Sequence, residues 1–193
     1  MVLALRIAHP TCRTDARGRD AALVARARGG DRHAFEALVR AHKDGVLNLA
    51  RRIVGDADAA QDVAQEAFIK AYRELRRFRG RSTFATWLYR IAINEARVYL
   101  RSQRRRQAQW EQQTAGQAGH PAANERDRPS HLLVELLQEV PEKHRVALAL
   151  FYLQELSLRE VAQAAGASEA TVKSWLHRGR ERLRELAKER GLV

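Results

Sequence analysis

The segment from Phe78 to Leu100 constrains the fold more than any other part of the chain. Plotted at about 100° per residue, it forms a helix with two different long faces. One face is apolar and wide enough to pack into a core, and it holds Phe84, Leu88, Ile91, Ala92 and Tyr99. The opposite face carries Arg90, Asn94, Arg97, Arg101 and Arg104. This helix therefore needs a core on one side and keeps a charged face on the other.

We call the charged face, from Arg90 to Arg104, the arginine stripe. Its members are spaced i, i+4, i+7, i+11 and i+14, so guanidinium groups recur at a pitch that can follow a phosphate backbone. Trp87 and Tyr89 flank the stripe, where aromatic rings can stack on unpaired bases. A solvated charged face is the alternative interpretation. The two aromatic residues and the preceding loop from Phe78 to Thr83 favour nucleic acid over that alternative.

The composition predicts an all-α fold. Few segments show the alternation of β-branched and aromatic residues that marks strands. The chain has 193 residues, of which 45% are hydrophobic and only 6% aromatic. This length allows one domain or two small ones, with cores built largely of Ala, Leu and Val.

The charge is high and unevenly distributed. The formal net charge is +12 and the isoelectric point is near 10.9, which points to a polyanionic partner such as nucleic acid. Between Arg73 and Arg106 there are eleven Arg and two Glu. Between Asp56 and Glu66 there are four acids and no base. Because a protein that only coats nucleic acid has little use for such an acidic segment, it predicts a second partner that is a protein.

Several classes of function lack support in the sequence. Cys12 is the only cysteine, so no internal disulfide can form, and no Cys/His spacing resembles a zinc site. No Gly-rich phosphate loop and no Ser/His/acid motif is visible, which predicts a protein that is not an enzyme and needs no cofactor or metal. The apolar run at residues 1–8 is too short for a signal peptide or a membrane span. We expect a cytoplasmic protein that does not insert into a membrane.

The helical periodicity falls into two groups, residues 20–106 and 129–193, which we predict to be two small domains. Residues 1–19 are predicted to form a flexible N-terminal arm. Residues 107–128 are rich in Gln, Ala and Gly, as in a flexible linker. In the first group, Gly29-Gly30-Asp31 predicts a turn, and Ser82 or Thr83 is the expected N-cap of the striped helix.

The end of the chain has the pattern of a helix-turn-helix. Ser157 and Glu160 form a capping box that opens the first helix, Gly166 provides the left-handed turn residue, and Ser168 caps the second helix. Near the start of that second helix, five side chains face away from its apolar side, namely Ala170, Lys173, Ser174, His177 and Arg178. A recognition helix reads base edges at this position, although helical hairpins with charged outer faces also occur in proteins that bind no DNA.

Three motifs in this order resemble a bacterial RNA polymerase sigma factor. They are the run Asp58-Ala-Ala-Gln-Asp-Val-Ala-Gln-Glu-Ala-Phe-Ile-Lys-Ala-Tyr72, the run Phe78–Leu100 and the C-terminal helix-turn-helix. Two domains joined by a short linker are similar to the extracytoplasmic-function group, and the Phe78–Leu100 run is most similar to its envelope-stress, sigma-E type. The resemblance covers about residues 20–106 and 129–188.

The resemblance implies a role for each region. The family's region 2 domain, matching residues 20–106, docks on the clamp helices of core RNA polymerase at positions matching Asp58, Asp62, Gln65, Glu66 and Phe68. The −10 promoter element would be recognised and melted by Gly80, Arg81, Ser82, Thr83, Trp87, Tyr89, Arg90, Asn94, Arg97 and Arg101. The region 4 domain, matching residues 129–193, would read the −35 element through Ser168, Ala170, Thr171, Lys173, Ser174, His177 and Arg178.

The same resemblance implies further partners and leaves alternatives open. The flap of the polymerase, promoter DNA and an anti-sigma factor are the partners expected of such a protein. Many envelope-stress members have an acid where this chain has Arg81, and often Arg where it has Lys173, so the promoter sequence is not predicted. A free-standing repressor or activator would use the helix-turn-helix alone. A sigma-like decoy would bind an anti-sigma factor but would lack the basic stripe and its aromatic residues.

Overall fold

The computed structural model describes the backbone of residues 11–113 and 129–192 and the side chains of residues 18–110 and 132–192. Every regular element in these ranges is helical, which confirms the all-α prediction. Eight α-helices follow one another there, namely α1 (Thr11–Arg28), α2 (Arg32–Val54), α3 (Ala57–Glu74), α4 (Phe84–Gln113), α5 (Pro129–Gln138), α6 (Glu142–Leu148), α7 (Leu158–Ala165) and α8 (Glu169–Glu189). A 3₁₀ turn at Leu75–Arg77 extends α3, and a π-helical turn at Ala149–Leu153 extends α6.

The first four helices share one core. Helices α2, α3 and α4 pack against one another, and α1 packs on α2. Large side chains such as Leu38, Leu49 and Leu88 are completely buried there. The side of α3 that faces this core is mostly alanine (Ala60, Ala67). Because alanine side chains are small, they allow the neighbouring helices to approach α3 closely.

Local capping sets the boundaries of these helices. The Asp31 carboxylate accepts a hydrogen bond from the amide of Ala34 at 3.1 Å, so the predicted turn before α2 is present. The Thr83 hydroxyl accepts one from the amide of Thr86 at 3.1 Å, which identifies Thr83 rather than Ser82 as the cap of α4. Each cap supplies an acceptor for a backbone N–H group that has no partner within the helix.

Two helices extend beyond the predicted limits of the first domain. Helix α1 begins at Thr11 and therefore includes residues 11–19 of the expected arm at residues 1–19. Helix α4 runs to Gln113 and takes in the first part of the expected linker at residues 107–128. The extension of α4, residues 107–113, is rich in Gln, which favours helix even where no apolar stripe is present. The rest of the arm and of the linker lies outside the described residues.

The last two helices, α7 and α8, form the predicted helix-turn-helix. The capping box is complete, since the Ser157 hydroxyl accepts from the Glu160 amide at 3.3 Å and the Glu160 carboxylate accepts from the Ser157 amide at 2.9 Å. Gly166 adopts a left-handed φ of 70° between α7 and α8. The Ser168 hydroxyl then accepts from the amide of Thr171 at 3.1 Å and caps α8. These local predictions are confirmed.

The two helical groups also touch each other, which the sequence did not predict. Helix α4 packs against α7, and α2 packs against α5 and α6. As a result, the buried apolar residues of both groups form one continuous cluster. The buried surface of α4 is accordingly wider than the predicted apolar face, because Tyr89, Ile93 and Ala96 are buried as well, whereas Tyr99 is only half-buried.

His144 occupies an unusual place in the second group. It lies on α6 against Gly179 of α8 and is only 8% exposed. Its Nε2 atom is buried without a hydrogen-bond partner among the described residues. Burial lowers the pKa of His144 below its usual 6.5, and the positive charges of Lys143 and Arg178 lower it further. The folded protein therefore favours the neutral imidazole.

This burial predicts a pH-dependent stability. Because the folded pKa of His144 lies below the unfolded value of 6.5, the unfolded chain binds the additional proton as the pH falls below 6.5, and the native state loses stability there. Above pH 6.5 His144 is mainly neutral in both states, so it causes no loss of stability there. We expect the melting temperature of the parent to fall more steeply on acidification than that of His144→Gln, measured by circular dichroism. His33→Gln is the matched control, since His33 is 89% exposed, and its acid profile should follow the parent's. Equal slopes for the parent and His144→Gln would contradict the prediction.

Candidate nucleic-acid interface

The arginine stripe lies on the outer side of α4, as predicted. Arg90, Asn94, Arg101 and Arg104 are exposed. Arg97 is the exception, because its guanidinium Nε donates to the carboxylate of Glu142 on α6 at 3.0 Å, and its side chain is 31% exposed. Four members of the stripe can therefore contact a polyanion directly, and the fifth already has an anionic partner within the chain.

Helix α4 is held firmly in the first domain. Leu88 and Ala92, on the side opposite the stripe, are at most 1% exposed. Lys70 of α3 donates to Glu95 of α4 at 2.8 Å, and this hydrogen bond raises the pKa of Lys70. The stripe is thus displayed on a rigid element rather than on a loop, which fixes the spacing of its cations.

The two predicted stacking residues have different environments. Trp87 is half-buried, with its ring centroid 5.1 Å from that of Phe78 and 5.8 Å from that of Phe84. Tyr89 is only 6% exposed, which corrects the prediction that it lies open beside the stripe. Tyr89 is buried by tertiary packing, since its hydroxyl donates to the side chain of Gln154 at 2.6 Å. Gln154 directly follows the π-helical turn at Ala149–Leu153 of the other domain.

The loop before α4 borders a cavity. The cavity has a volume of about 370 Å³ and is lined by Asp20, Ala21, Val24, Phe78, Gly80, Arg81, Ser82, Thr83 and Phe84. Gly80 has a φ of 68°, a conformation that glycine adopts without a steric penalty. Helix α1 supplies one wall, and its Asp20 is held by His42 of α2 at 2.9 Å. Nothing in the sequence predicts this contribution of α1, because no motif links Asp20 to a loop sixty positions away.

The predicted base-reading residues lie together at the start of α8. Ser168, Ala170, Lys173, His177 and Arg178 are exposed. Thr171 and Ser174 are half-buried beside them. On the inner side of the same helix, Val172 and Leu176 are buried in the second domain. His177 also contacts Glu181 at 3.2 Å, so the cationic surface is bordered by an acid one turn further along.

The acidic segment forms a third surface, on the outer side of α3. We call it the acidic face, and its exposed members are Asp58, Asp62, Gln65 and Glu66. Ala59, Val63 and Ala67 point the opposite way and are buried. Phe68, which was predicted to belong to the same surface, is half-buried at its edge. Neither Asp58 nor Asp62 is ion-paired with another described residue, so this negative charge remains available to a partner.

Within the described part of the chain, no group of three or more His, Cys, Asp and Glu side chains is arranged to hold a metal ion. None of the helices within residues 11–113 and 129–192 combines the length and the apolar character that a membrane span requires.

Three residues outside the predicted sites lie against Arg97 of the arginine stripe or against Tyr89 beside it. Glu142 and Gln154 contact Arg97 and Tyr89 from the second domain. Gly45 lies in the middle of α2, where an added Cβ atom would be 2.6 Å from the Tyr89 hydroxyl. A glycine inside an amphipathic helix was the one sequence signal for this contact, whereas nothing in the sequence marks Glu142 or Gln154.

Comparison with known proteins identifies two matched regions. Residues 38–106 match Sigma-70 region 2, and residues 130–183 match Sigma-70 region 4. The chain is 40% identical to the RNA polymerase sigma-H factor of Pseudomonas aeruginosa, over 84% of this chain and 91% of that protein. It is 39% identical to the ECF RNA polymerase sigma-E factor of Escherichia coli K12, with the same shares covered.

Two solved structures have a similar fold. CnrH in complex with the cytosolic domain of CnrY superposes with a TM-score of 0.69 at 24% identity, covering 89% of this chain and 98% of that one. The sigma factor RpoE of Bartonella quintana, bound to the anti-sigma factor NepR, gives 0.64 at 26% identity, covering 80% and 96%. Together with the two matched regions and the full-length relatives, these similarities identify the chain as a member of the extracytoplasmic-function RNA polymerase sigma factors, which direct promoter-specific transcription and are not themselves enzymes.

Proposed function

We propose that this sigma factor binds core RNA polymerase through the acidic face, holds the melted −10 strand along the loop and the arginine stripe, and reads the −35 element with the start of α8. The observation that carries the proposal is the separation of three chemically different surfaces on one fold. An acidic surface, a cationic helix beside a cavity, and an exposed recognition helix each fit a different partner. A free-standing regulator would need only the last of these.

The −10 assignment is supported by the chemistry around the arginine stripe. Single-stranded nucleic acid is bound by cations that track the backbone and by aromatic rings on which bases stack. Arg90, Arg101 and Arg104 provide the cations, and Trp87 provides a ring at the edge of the loop. The cavity beside Gly80–Thr83, at about 370 Å³, is of a size that suits a small ligand, which here would be an unstacked base.

The −35 assignment is supported by the geometry of α8. A recognition helix enters the major groove with its N-terminal residues against the base edges. Lys173, His177 and Arg178 are exposed near that end, while the inner side of the helix is fixed in the core. The capped N-terminus at Ser168 adds backbone amides and a positive helix dipole close to where DNA phosphates would lie.

The remaining partners follow from the family. The protein would act in the cytoplasm, where core polymerase supplies the catalysis and this chain needs no cofactor of its own. Because the similar sigma factor of Bartonella quintana is bound to the anti-sigma factor NepR, we also propose an anti-sigma factor as a partner of this chain.

Reversing the charge of the acidic face should abolish polymerase binding. In Asp62→Lys with Glu66→Lys, attraction to a cationic docking surface is replaced by repulsion. Both residues are exposed, so circular dichroism should show unchanged helicity, and a pull-down with core polymerase should show loss of the complex. Glu36→Lys with Asp44→Lys is the matched control, because it makes the same change in net charge at exposed positions of α2 and should retain binding. Full binding by the folded Asp62/Glu66 variant would remove the docking role from α3.

Truncating the recognition residues should reduce transcription selectively. A good contact to a base edge contributes about 1–3 kcal/mol, so Arg178→Ala should lower run-off transcription from −35-dependent promoters by roughly 5- to 150-fold. Arg184→Ala is the control, since Arg184 is also exposed on α8 but lies further from its N-terminus. If Arg178→Ala keeps the parent's preference across a library of −35 sequences, Arg178 does not read bases.

A further inference from the structure

The lining of the cavity beside the loop before α4 is partly apolar. Val24 of α1, Phe78 and Phe84 contribute to it, and all three are buried in the core of the first domain. The rings of Phe78 and Phe84 meet edge to face, with their centroids 6.3 Å apart. Proteins that flip a base out of the stack hold it between aromatic or apolar side chains and read its edge by hydrogen bonds. The apolar lining can therefore hold a base, but polar groups must distinguish one base from another.

The hydroxyl groups in the lining already serve the loop itself. The Ser82 hydroxyl donates to the backbone carbonyl of Thr83 at 3.2 Å. The Thr83 hydroxyl accepts from the amide of Thr86 at 3.1 Å and pairs with the Thr86 hydroxyl at 2.7 Å. These bonds shape the loop and cap α4. The charged groups of the lining, Asp20 and Arg81, are therefore the side chains best able to hydrogen-bond a base.

Asp20 is held in place by a contact between α1 and α2. Its Oδ2 atom lies 2.9 Å from Nε2 of His42, and both side chains are only 14% exposed. The His42 ring packs on Phe84, with the two centroids 5.4 Å apart, so the imidazole is fixed as well. The other carboxylate oxygen, Oδ1, has no hydrogen-bond partner among the residues that the structure describes. Asp20 therefore brings a positioned acceptor with unused capacity to the wall of the cavity.

A carboxylate at this place is chemically selective. It repels the phosphates of a DNA strand, whereas Arg81, which is exposed at the same cavity, attracts them. Toward bases a carboxylate acts only as an acceptor. Cytosine N4, adenine N6 and guanine N2 are amino groups that can donate to it, but thymine presents carbonyl oxygens at O4 and O2. The wall of the cavity therefore favours bases that carry an exocyclic amino group.

We infer that Asp20, positioned by His42, determines the specificity of the cavity by accepting a hydrogen bond from the exocyclic amino group of an unstacked base and by rejecting thymine. This inference rests on the proposed −10 function of the loop. Asp20 lies on α1, whereas the residues assigned to the −10 element lie in the loop and on α4. Asp20 contacts the base, and His42 is a positioning residue that acts through Asp20. A good contact to a base discriminates by roughly 5- to 150-fold.

Asp20→Asn tests the role of the free carboxylate oxygen with little change in shape. The side-chain oxygen of Asn can still accept from His42, and its NH2 group replaces the free acceptor by a donor. A donor at this place pairs with a carbonyl oxygen of thymine, so the rejection of thymine should disappear. Asp44→Asn is the matched control, because it makes the same chemical change at an exposed position of α2 that does not line the cavity. Circular dichroism checks that each full-length variant is folded.

Selection of single strands by the holoenzyme measures the base preference. Each variant is assembled with core RNA polymerase and mixed with single-stranded oligonucleotides that are randomised over the length of a −10 element, and the bound strands are sequenced. With the parent and with Asp44→Asn we expect one position at which thymine is depleted by roughly 5- to 150-fold. With Asp20→Asn thymine should be accepted at that position, while the preferences at the other positions stay unchanged.

Removal of the amino group from the selected base tests the contact itself. At the position found by selection, deoxyuridine replaces cytosine, deoxynebularine replaces adenine, or deoxyinosine replaces guanine. Fluorescence anisotropy with a fluorescein-labelled strand should show that the parent holoenzyme loses affinity by the same factor, whereas Asp20→Asn loses little. His42→Leu removes the group that holds Asp20 and should lose the discrimination, and His42→Gln should retain it, because Gln keeps a side-chain N–H donor.

The outcomes separate the role of Asp20 from the proposed function. If the parent holoenzyme binds no single strand, or binds every sequence equally, the −10 assignment of the loop falls and the inference falls with it. If the holoenzyme selects sequences but folded Asp20→Asn selects the same ones, Asp20 does not read a base, and the −10 assignment stands. Unchanged discrimination by His42→Leu would remove the positioning role and leave the His42 contact as a tie between α1 and α2.

Discussion

The arrangement of the whole molecule depends on how α4 is buried. Its apolar side closes the core of the first domain against α2 and α3, and the Lys70–Glu95 hydrogen bond at 2.8 Å adds a polar tie at the edge of that core. Because a helix is rigid and its side chains are fixed in direction, burying one side determines where the arginine stripe points. The same burial positions the loop at Gly80–Thr83 and the cavity beside it.

Charge separation gives the fold surfaces that suit different kinds of partner. The acidic face lies on α3, next to a helix that carries the cationic stripe, although the chain as a whole is strongly basic at +12. Exposed charges interact weakly across more than a Debye length at physiological salt. Two opposite surfaces can therefore coexist on neighbouring helices, and we propose that the acidic one binds a protein and the cationic one DNA.

The contact between the domains divides the cationic surface into exposed residues and residues held by the second domain. Exposed stripe residues such as Arg90 and Arg101 are open to solvent, whereas Tyr89 and Arg97 are held by Gln154 and Glu142. The interface combines these polar contacts with continuous apolar packing between α4 and α7. Interfaces between domains of one chain are typically more polar than obligate interfaces.

The sequence by itself determined the features that depend on local interactions. The helical class, the turn at Asp31, a cap at Ser82 or Thr83, the caps at Ser157 and Ser168, and the exposed side of α4 all follow from periodicity and from hydrogen bonds between residues a few positions apart. The helix ends at Thr11 and Gln113 lie beyond the apolar pattern of their elements, so periodicity did not mark them. Only the tertiary structure decided what happens to Tyr89 and Arg97. Their partners lie 65 and 45 positions away, and contacts over such separations depend on how whole domains pack, which no local pattern encodes.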